Sequence, residues 1–482
     1  MPNSKAVLHA TLENGQIIEY LPEIIGEGGM KVVHFTPDRK SVICFFKDGA
    51  QAVDPQRRVR LQNIVNKYNP TTDPKTGLYW KDLFCWPTAV VVKPQLGVAA
   101  PTYAAHFFFA SGPFKGKEKQ ATWFTSPKLR RMLPKEERGT WLGYVQISIR
   151  LARAVRRMHN AGLAHSDLSN KNVLIDPLSG QAVIIDVDSL VVPQVYPPDV
   201  LGTPGYIAPE VMATSKLALD DPKRALPSRR TDQYALAVLI YQYLLGRHPL
   251  RGPKVNSTLS AEEDEHLSMG QGAVWIENPI DRSNRPANLG VPYTALGPYL
   301  APLFERAFIG GLHVPGERPG ADEWERALVK TTDLLLPCPN AACPGGWFVL
   351  GEGASGEGAP RCPWCSTVRN GSFPVLNLYR AGKTGQFLSE RHKLVVWHNS
   401  RLYKWHVFDN QFAGEGADRA PQAYFAQHNG NWMMVNQGQE SMSIIGAGSV
   451  PPGSGVELRD GQQIQLSKAP HGRLAVVQMM NR

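Results

Sequence analysis

Short alternations of apolar and polar positions mark the start of the chain. Val32 to Phe35 and Ser41 to Phe46 read as two β-strands, joined by Thr36-Pro37-Asp38-Arg39-Lys40, a hairpin signal. Asp54-Pro55 then predicts a helix start, with the aspartate as cap and the proline at the first helical position. Further on, Trp141, Val145, Ser148, Ala152, Val155 and His159 recur at helical spacing and predict an amphipathic helix. Its other face carries Arg150, Arg153, Arg156 and Arg157, which the pattern assigns to solvent. Asp232 to Leu245 is apolar nearly all round, as only an interior helix is.

Past Leu336 the period changes. Gly351 to Gly358 reads as the mobile tip of a hairpin, and from Phe373 no helical period remains. Lys393–Trp397, Leu402–Phe408, Gln422–Gln427, Trp432–Asn436, Gly455–Leu458, Gln463–Leu466 and Leu474–Met479 read as strands, several divided by Asn-Gly or Asp-Gly turns. Many short strands with turns between them predict a β-sandwich.

At 482 residues the chain exceeds one ordinary core, so several domains are expected. Hydrophobic residues at 43% and charged residues at 20% describe a globular protein. The net charge of +10 suits phosphate-bearing partners but is too dispersed to indicate nucleic acid. The most apolar run, Ala235 to Leu245, is too short for a membrane span, and the first residues lack an apolar signal core. A cytoplasmic protein without membrane partners is therefore expected. Four of the six cysteines fall as Cys338-x4-Cys343-x18-Cys362-x2-Cys365, a spacing that predicts a structural zinc site with four thiolates. Cys44 and Cys85 lie in apolar stretches and read as inert thiols.

Three polar blocks carry the chemistry. His165-Ser166-Asp167-Leu168-Ser169-Asn170-Lys171-Asn172 precedes the β-rich Val173-Leu174-Ile175. Ile184-Ile185-Asp186-Val187-Asp188 follows, and then Gly202-Thr203-Pro204-Gly205-Tyr206-Ile207-Ala208-Pro209-Glu210. In this order they resemble the catalytic loop, magnesium loop and activation-segment end of eukaryotic-like protein kinases, over roughly residues 20 to 330. The resemblance implies that Asp167 accepts the proton of an attacking hydroxyl and that Asn172 and Asp186 hold magnesium (or manganese) beside ATP. It further implies that Lys171 neutralises the γ-phosphate, since Ser169 stands at the usual lysine position, and that Thr203 contacts Asp167. Gly26-Glu27-Gly28-Gly29-Met30-Lys31 resembles the glycine-rich phosphate loop, with Gly26, Gly28 and Gly29 lying over the nucleotide. Lys47, ending the strand Val42 to Phe46, takes the place of the phosphate-pairing lysine. Asp232 resembles the buried aspartate that ties down the catalytic loop, and Glu210 with Arg318 the family's buried ion pair.

Four positions depart from that pattern. Lys31 replaces the third loop glycine, Ser166 the catalytic-loop arginine, and Asp188 the glycine after the magnesium aspartate. No glutamate lies between Glu27 and Glu118, so the helix after Lys47 lacks the carboxylate that orients the lysine; Gln62, Asn63 or Asn66 are its polar candidates.

The tail from Tyr424 to Trp432 and from Val450 to Leu466 resembles the second half of a forkhead-associated sandwich, without the motifs that grip phosphothreonine; Arg401 and Ser441 are poor substitutes. Together these parts resemble the bacterial kinases of tellurite-resistance-associated phosphorylation triads. That resemblance implies a von Willebrand A-domain protein as substrate and a metal-dependent protein phosphatase as counterpart. The expected fold class is α+β: a bilobal kinase-like fold (1–100 and 101–335), a zinc ribbon built on four cysteines (336–370) and an all-β sandwich (371–482). The expected activity is Ser/Thr phosphorylation; a pseudokinase scaffold is the first alternative and a small-molecule phosphotransferase the second.

Overall fold

The computed structural model describes residues 6–27, 30–47, 55–190, 202–218, 221–351 and 359–480. The chain divides into two compact units. The first comprises residues 1–139, 146–289 and 304–324, and the second residues 140–145, 290–303 and 325–482.

The first unit opens with strands β1 (Leu8–Leu12), β2 (Ile17–Tyr20), β3 (Ile24–Glu27), β4 (Lys31–Phe35), β5 (Ser41–Phe46), β6 (Ala89–Lys93) and β7 (Gly97–Pro101). Among the described residues they form one antiparallel sheet in the order β2-β1-β6-β7-β5-β4-β3. The predicted hairpin joins β4 to β5, with Lys31 opposite Phe46 and Val33 opposite Cys44. Side chains on a strand alternate between faces, so Lys31, Val33, Cys44 and Phe46 share one face of this pair. Gly97 is required where β7 meets β5, because a Cβ there would stand 2.5 Å from the Cys44 carbonyl oxygen. A helix from Pro55 to Gln62 follows β5; its expected cap, Asp54, lies outside the described residues.

The amphipathic helix spans Trp141–Asn160 and buries Val145, Ser148, Ala152 and Val155 as its period requires. Its arginine face is not solvated. Arg153 is buried and donates from Nη1 to the Tyr79 hydroxyl at 3.1 Å, while the Arg157 guanidinium lies 5.3 Å from the centre of the Trp80 ring. A short helix, Gly77–Lys81, covers this face and converts it to an aromatic contact for guanidinium groups. The apolar helix begins earlier than its period predicts, at Arg229, and runs to Leu245. Ser228 caps it through a capping box with Thr231, and Gly246 ends it at φ 69°. The two-stranded ladder β8 (Val173–Asp176) and β9 (Gln181–Ile184) carries the segments on either side of it into the site.

In the second unit β10 (Leu335–Pro337) pairs with β11 (Trp347–Val349) beside the cysteines. The tail adds β12 (Phe373–Ala381), β13 (Phe387–Val395), β14 (Arg401–Leu402), β15 (Ala423–His428) and β16 (Asn431–Asn436). It closes with β17 (Ser443–Ile444), β18 (Gly448–Ser449), β19 (Gly455–Glu457), β20 (Gln463–Gln465) and β21 (Leu474–Met480). They make two antiparallel sheets, β13-β12-β21-β20-β17-β18 and β14-β15-β16-β19. The expected strand Leu402–Phe408 stops after Leu402, and Lys404–Val407 turns into a helix. The cause is polar and local. His406 accepts the Tyr403 N–H at 3.1 Å and is buried against Asp333, which also meets His392 at 2.7 Å. Burial alone would raise the Asp333 carboxyl; the two imidazoles, His406 foremost, override it and hold the group far below the usual range.

In the first unit Arg318 is buried and forks onto Glu210, with N–O distances of 2.8 and 2.7 Å. Glu210 opens the helix Pro209–Thr214, so the pair fastens the end of the Gly202 to Glu210 segment. Glu210→Ala leaves a buried guanidinium without its carboxylate and is expected to destabilise the protein by roughly 3 kcal/mol, read as a fall in the urea midpoint. An unchanged midpoint would show that the neighbouring carbonyls alone satisfy Arg318.

Candidate functional site

Asp232, buried on the helix Arg229–Leu245, sits beneath the loop that carries Asp167. Its carboxylate accepts the backbone N–H of His165 at 2.7 Å and of Ser166 at 3.2 Å, and it faces His159 Nε2 at 3.1 Å. Ser166 adopts φ 65°, a left-handed conformation that costs a serine some energy and is fixed here by the second of those bonds. The sharp bend presents Asp167. Oδ1 of Asp167 accepts the Thr203 backbone N–H at 2.6 Å, and Oδ2 accepts Asn172 Nδ2 at 3.0 Å. Asn172 Nδ2 also donates to the Asp167 carbonyl at 2.8 Å. Thr203 thus meets Asp167, through its backbone. Gly202 precedes it at φ 115° and lies against the same loop; a Cβ there would stand 3.4 Å from the Ser166 carbonyl.

Both amide hydrogens of Asn172 are committed to Asp167, so the oxygen is the atom its side chain has left to offer. Together with the Asp186 carboxylate this is an oxygen donor set of the kind a hard divalent cation takes. Asp186 itself is left-handed, with φ 62°. Lys171, on the same loop, is exposed, and its backbone N–H is bonded to Ser169 Oγ at 3.3 Å.

The amine at Asp186 comes from Lys31. Its Nζ donates to Asp186 Oδ1 and to both oxygens of Asp188 at 2.8 and 2.9 Å. The Lys31 and Asp188 side chains are 18% and 7% exposed, so these charges are largely withdrawn from water. Burial opposes the charge on Lys31, but Asp188 and Asp186 outweigh it and hold the amine protonated far above its usual range. Burial lifts the Asp188 carboxyl, whereas for Asp186 the pull of Lys31 overrides burial and holds the acid low.

Lys47 stands elsewhere. It follows Phe46 by one position, out of phase with the face that Lys31 and Phe46 share, and its amine pairs at 2.7 Å with Glu27. The two side chains are 37% and 59% exposed, and the structure does not bring Lys47 to Asp186. Gly26 lies in β3 opposite Val33, where a Cβ would make ordinary contacts, and Gly28 and Gly29 fall outside the described residues. Lys31 and Asp188, the departure residues visible in the sequence, are the ones brought to Asp186.

In the second unit Cys338, Cys343, Cys362 and Cys365 bring their sulfurs within 4.8 Å of one another. The Sγ–Sγ separations of 3.5 Å (Cys338–Cys365) and 3.7 Å (Cys343–Cys362) approach the edge of a tetrahedron with Zn–S bonds of about 2.3 Å. The cluster is compatible with zinc.

Residues 129–289 match the family model described as protein kinase domain. The chain is similar to Serine/threonine-protein kinase 17A of Oryctolagus cuniculus, 24% identical over 222 residues, which span 39% of this chain and 53% of that protein. It is also similar to Serine/threonine-protein kinase pkn2 of Myxococcus xanthus, 31% identical over 122 residues, 23% of this chain and 13% of that one. Among solved structures, the Toxoplasma gondii specific rhoptry antigen kinase domain aligns at 12% identity with a TM-score of 0.38, over 68% of this chain and 86% of that one. Among the described residues no helix is long and apolar enough to cross a membrane.

Two measurements follow from these sites. His248 is buried; its Nε2 faces the Gly205 carbonyl at 2.8 Å and its Nδ1 accepts the Leu250 N–H at 3.1 Å. Burial therefore lowers its pKa from 6.5 to about 4, with Arg251 adding repulsion and the Gly205 bond opposing. The unfolded chain takes this proton first, so stability is full above about 6.5 and falls as the pH drops towards 4, by up to roughly 3 kcal/mol. Urea midpoints between pH 7 and pH 4.5 should fall less steeply in His248→Gln than in the unaltered protein; parallel slopes would refute the assignment. Metal analysis of the purified protein should return about one zinc per chain, lost with Cys362→Ser. A metal-free protein with an unchanged melting curve would refute the site.

Proposed function

We propose that the chain is an ATP- and magnesium-dependent Ser/Thr protein kinase that transfers a phosphoryl group to hydroxyls of protein substrates. The observation that carries this reading is the set of bonds on Asp167. Thr203 N–H and Asn172 Nδ2 hold the carboxylate from two sides. A carboxylate so fixed can orient an alcohol and receive its proton while the oxygen attacks phosphorus. Asn172 and Asp186 would hold the divalent cation, which supplies charge neutralisation to the transferring group. Lys171 is exposed on the same loop, as a residue reaching a nucleotide phosphate must be. The match over 129–289 and the names of the curated relatives support the same class.

The four-cysteine cluster is read as a structural zinc ribbon and the two tail sheets as a forkhead-associated-like docking module that does not read phosphate. Protein substrates follow from the kinase class. A von Willebrand A-domain substrate and a phosphatase counterpart rest on the resemblance to tellurite-resistance triads, and a cytoplasmic location on the sequence reading alone. A pseudokinase is the competing class, favoured by the missing helix carboxylate and by Asp188, and opposed by the retention of Asp167, Asn172, Asp186 and Lys47.

With γ-labelled ATP and magnesium, the protein is expected to label itself or a generic protein substrate. Asp167→Asn should lower the rate by about a hundredfold or more and leave nucleotide binding in place. Equal labelling by the two proteins would remove Asp167 from the chemistry; no labelling by either, with nucleotide bound, would establish the scaffold instead.

A further inference from the structure

We infer that the phosphate-contacting amine is Lys31, on β4, and that Asp188 is the carboxylate that positions it, the two replacing Lys47 and the acidic residue missing from the next helix. This rests on the kinase reading and names residues of that same site.

The sequence leaves one role vacant, the helix carboxylate, and two surplus charges, Lys31 and Asp188. The helix Pro55–Gln62 reads PQRRVRLQ and offers no carboxylate. It turns a cation inward instead: the buried Arg57 guanidinium lies 4.9 Å from the centre of the Phe46 ring. Lys47 pairs in solvent with Glu27. Lys31 and Asp188, both departures from the family pattern, meet each other at 2.8 Å and meet Asp186 as well.

Geometry explains why the exchange works. Lys31 and Phe46 are directly opposed across the β4–β5 ladder, and Lys31 Nζ is 5.8 Å from the centre of the Phe46 ring. An amine from Lys31 therefore leaves the sheet on the same face as a side chain at position 44 or 46 of β5. Position 44 is a cysteine, whose thiol burial pushes up to about 12, so it stays neutral beside the lysine. The amine that β5 does not supply from this face comes from the neighbouring strand.

Asp188 is suited to its role for a separate reason. It follows Asp186 by two positions in a single helical turn, Val187–Ser189. Fastening Lys31 to Asp188 thus fixes the amine relative to the residue that would hold the cation, with no helix needed between them. A carboxylate buried at 7% exposure beside another acid requires a cation close by, and Lys31 is that cation.

The test uses the full chain with magnesium and a fluorescent ATP analogue, followed by anisotropy. Lys31→Met should weaken binding by about tenfold to a hundredfold, as loss of one charged hydrogen bond to phosphate does, and by more than Lys47→Met does. Asp188→Asn should weaken binding too. Added to Lys31→Met it should cost little more, because the two act through one contact. Circular dichroism confirms that each variant is folded. Should Lys31→Met fail to fold, the unaltered protein can be treated with an acyl-phosphate of ATP. This passes its acyl group from the mixed anhydride to a lysine amine at the phosphates and releases ATP. Acylation mapped to Lys31 supports the inference. Acylation mapped to Lys47, or a larger loss with Lys47→Met, overturns it and leaves the kinase reading standing. Unaltered protein that binds no nucleotide overturns both.

Discussion

Asp232 is the group on which the geometry of the loop carrying Asp167 depends. Its carboxylate takes two consecutive backbone N–H groups, those of His165 and Ser166. That grip holds Ser166 left-handed, and Asp167 projects only because the chain bends there. An aspartate 1% exposed is tolerable because every oxygen has a donor, and it sits on a helix whose interior position anchors it. From Asp167 the bonds continue to Asn172 and Thr203, so one buried carboxylate sets the positions of several polar groups above it.

Charge placement around Asp186 follows from which strand supplies the amine. Lys31 of β4 meets Asp186, which caps the turn Val187–Ser189, and Asp188, which lies within it. β5, which ends at Phe46, and the helix Pro55–Gln62 contribute apolar and cationic side chains, Phe46 and Arg57.

The scaffold was legible in the sequence where period and punctuation agreed. The helices Trp141–Asn160 and Arg229–Leu245, the β4–β5 hairpin and the bidentate Arg318–Glu210 pair all follow from spacing and residue type. The misreadings share a cause, namely contacts made by residues distant in sequence. Arg153 reads as solvated in the linear pattern, but Gly77–Lys81 covers it. Leu402–Phe408 reads as extended, but His406 is drawn to Asp333. A linear pattern carries local preference well and carries the identity of a buried partner poorly.

The arrangement of Lys31 between two carboxylates bears on how a ligand would arrive. The three groups together carry one net negative charge, and the amine is already satisfied. A polyanion approaching Lys31 meets an amine already paired with two carboxylates, so this lysine adds little pull over long range. If the proposed roles hold, binding would be a swap at Asp186: an incoming cation would relieve that carboxylate, while Asp188 keeps its hold on the lysine that meets the phosphates. Metal and nucleotide would then be acquired as one species, each making room for the other.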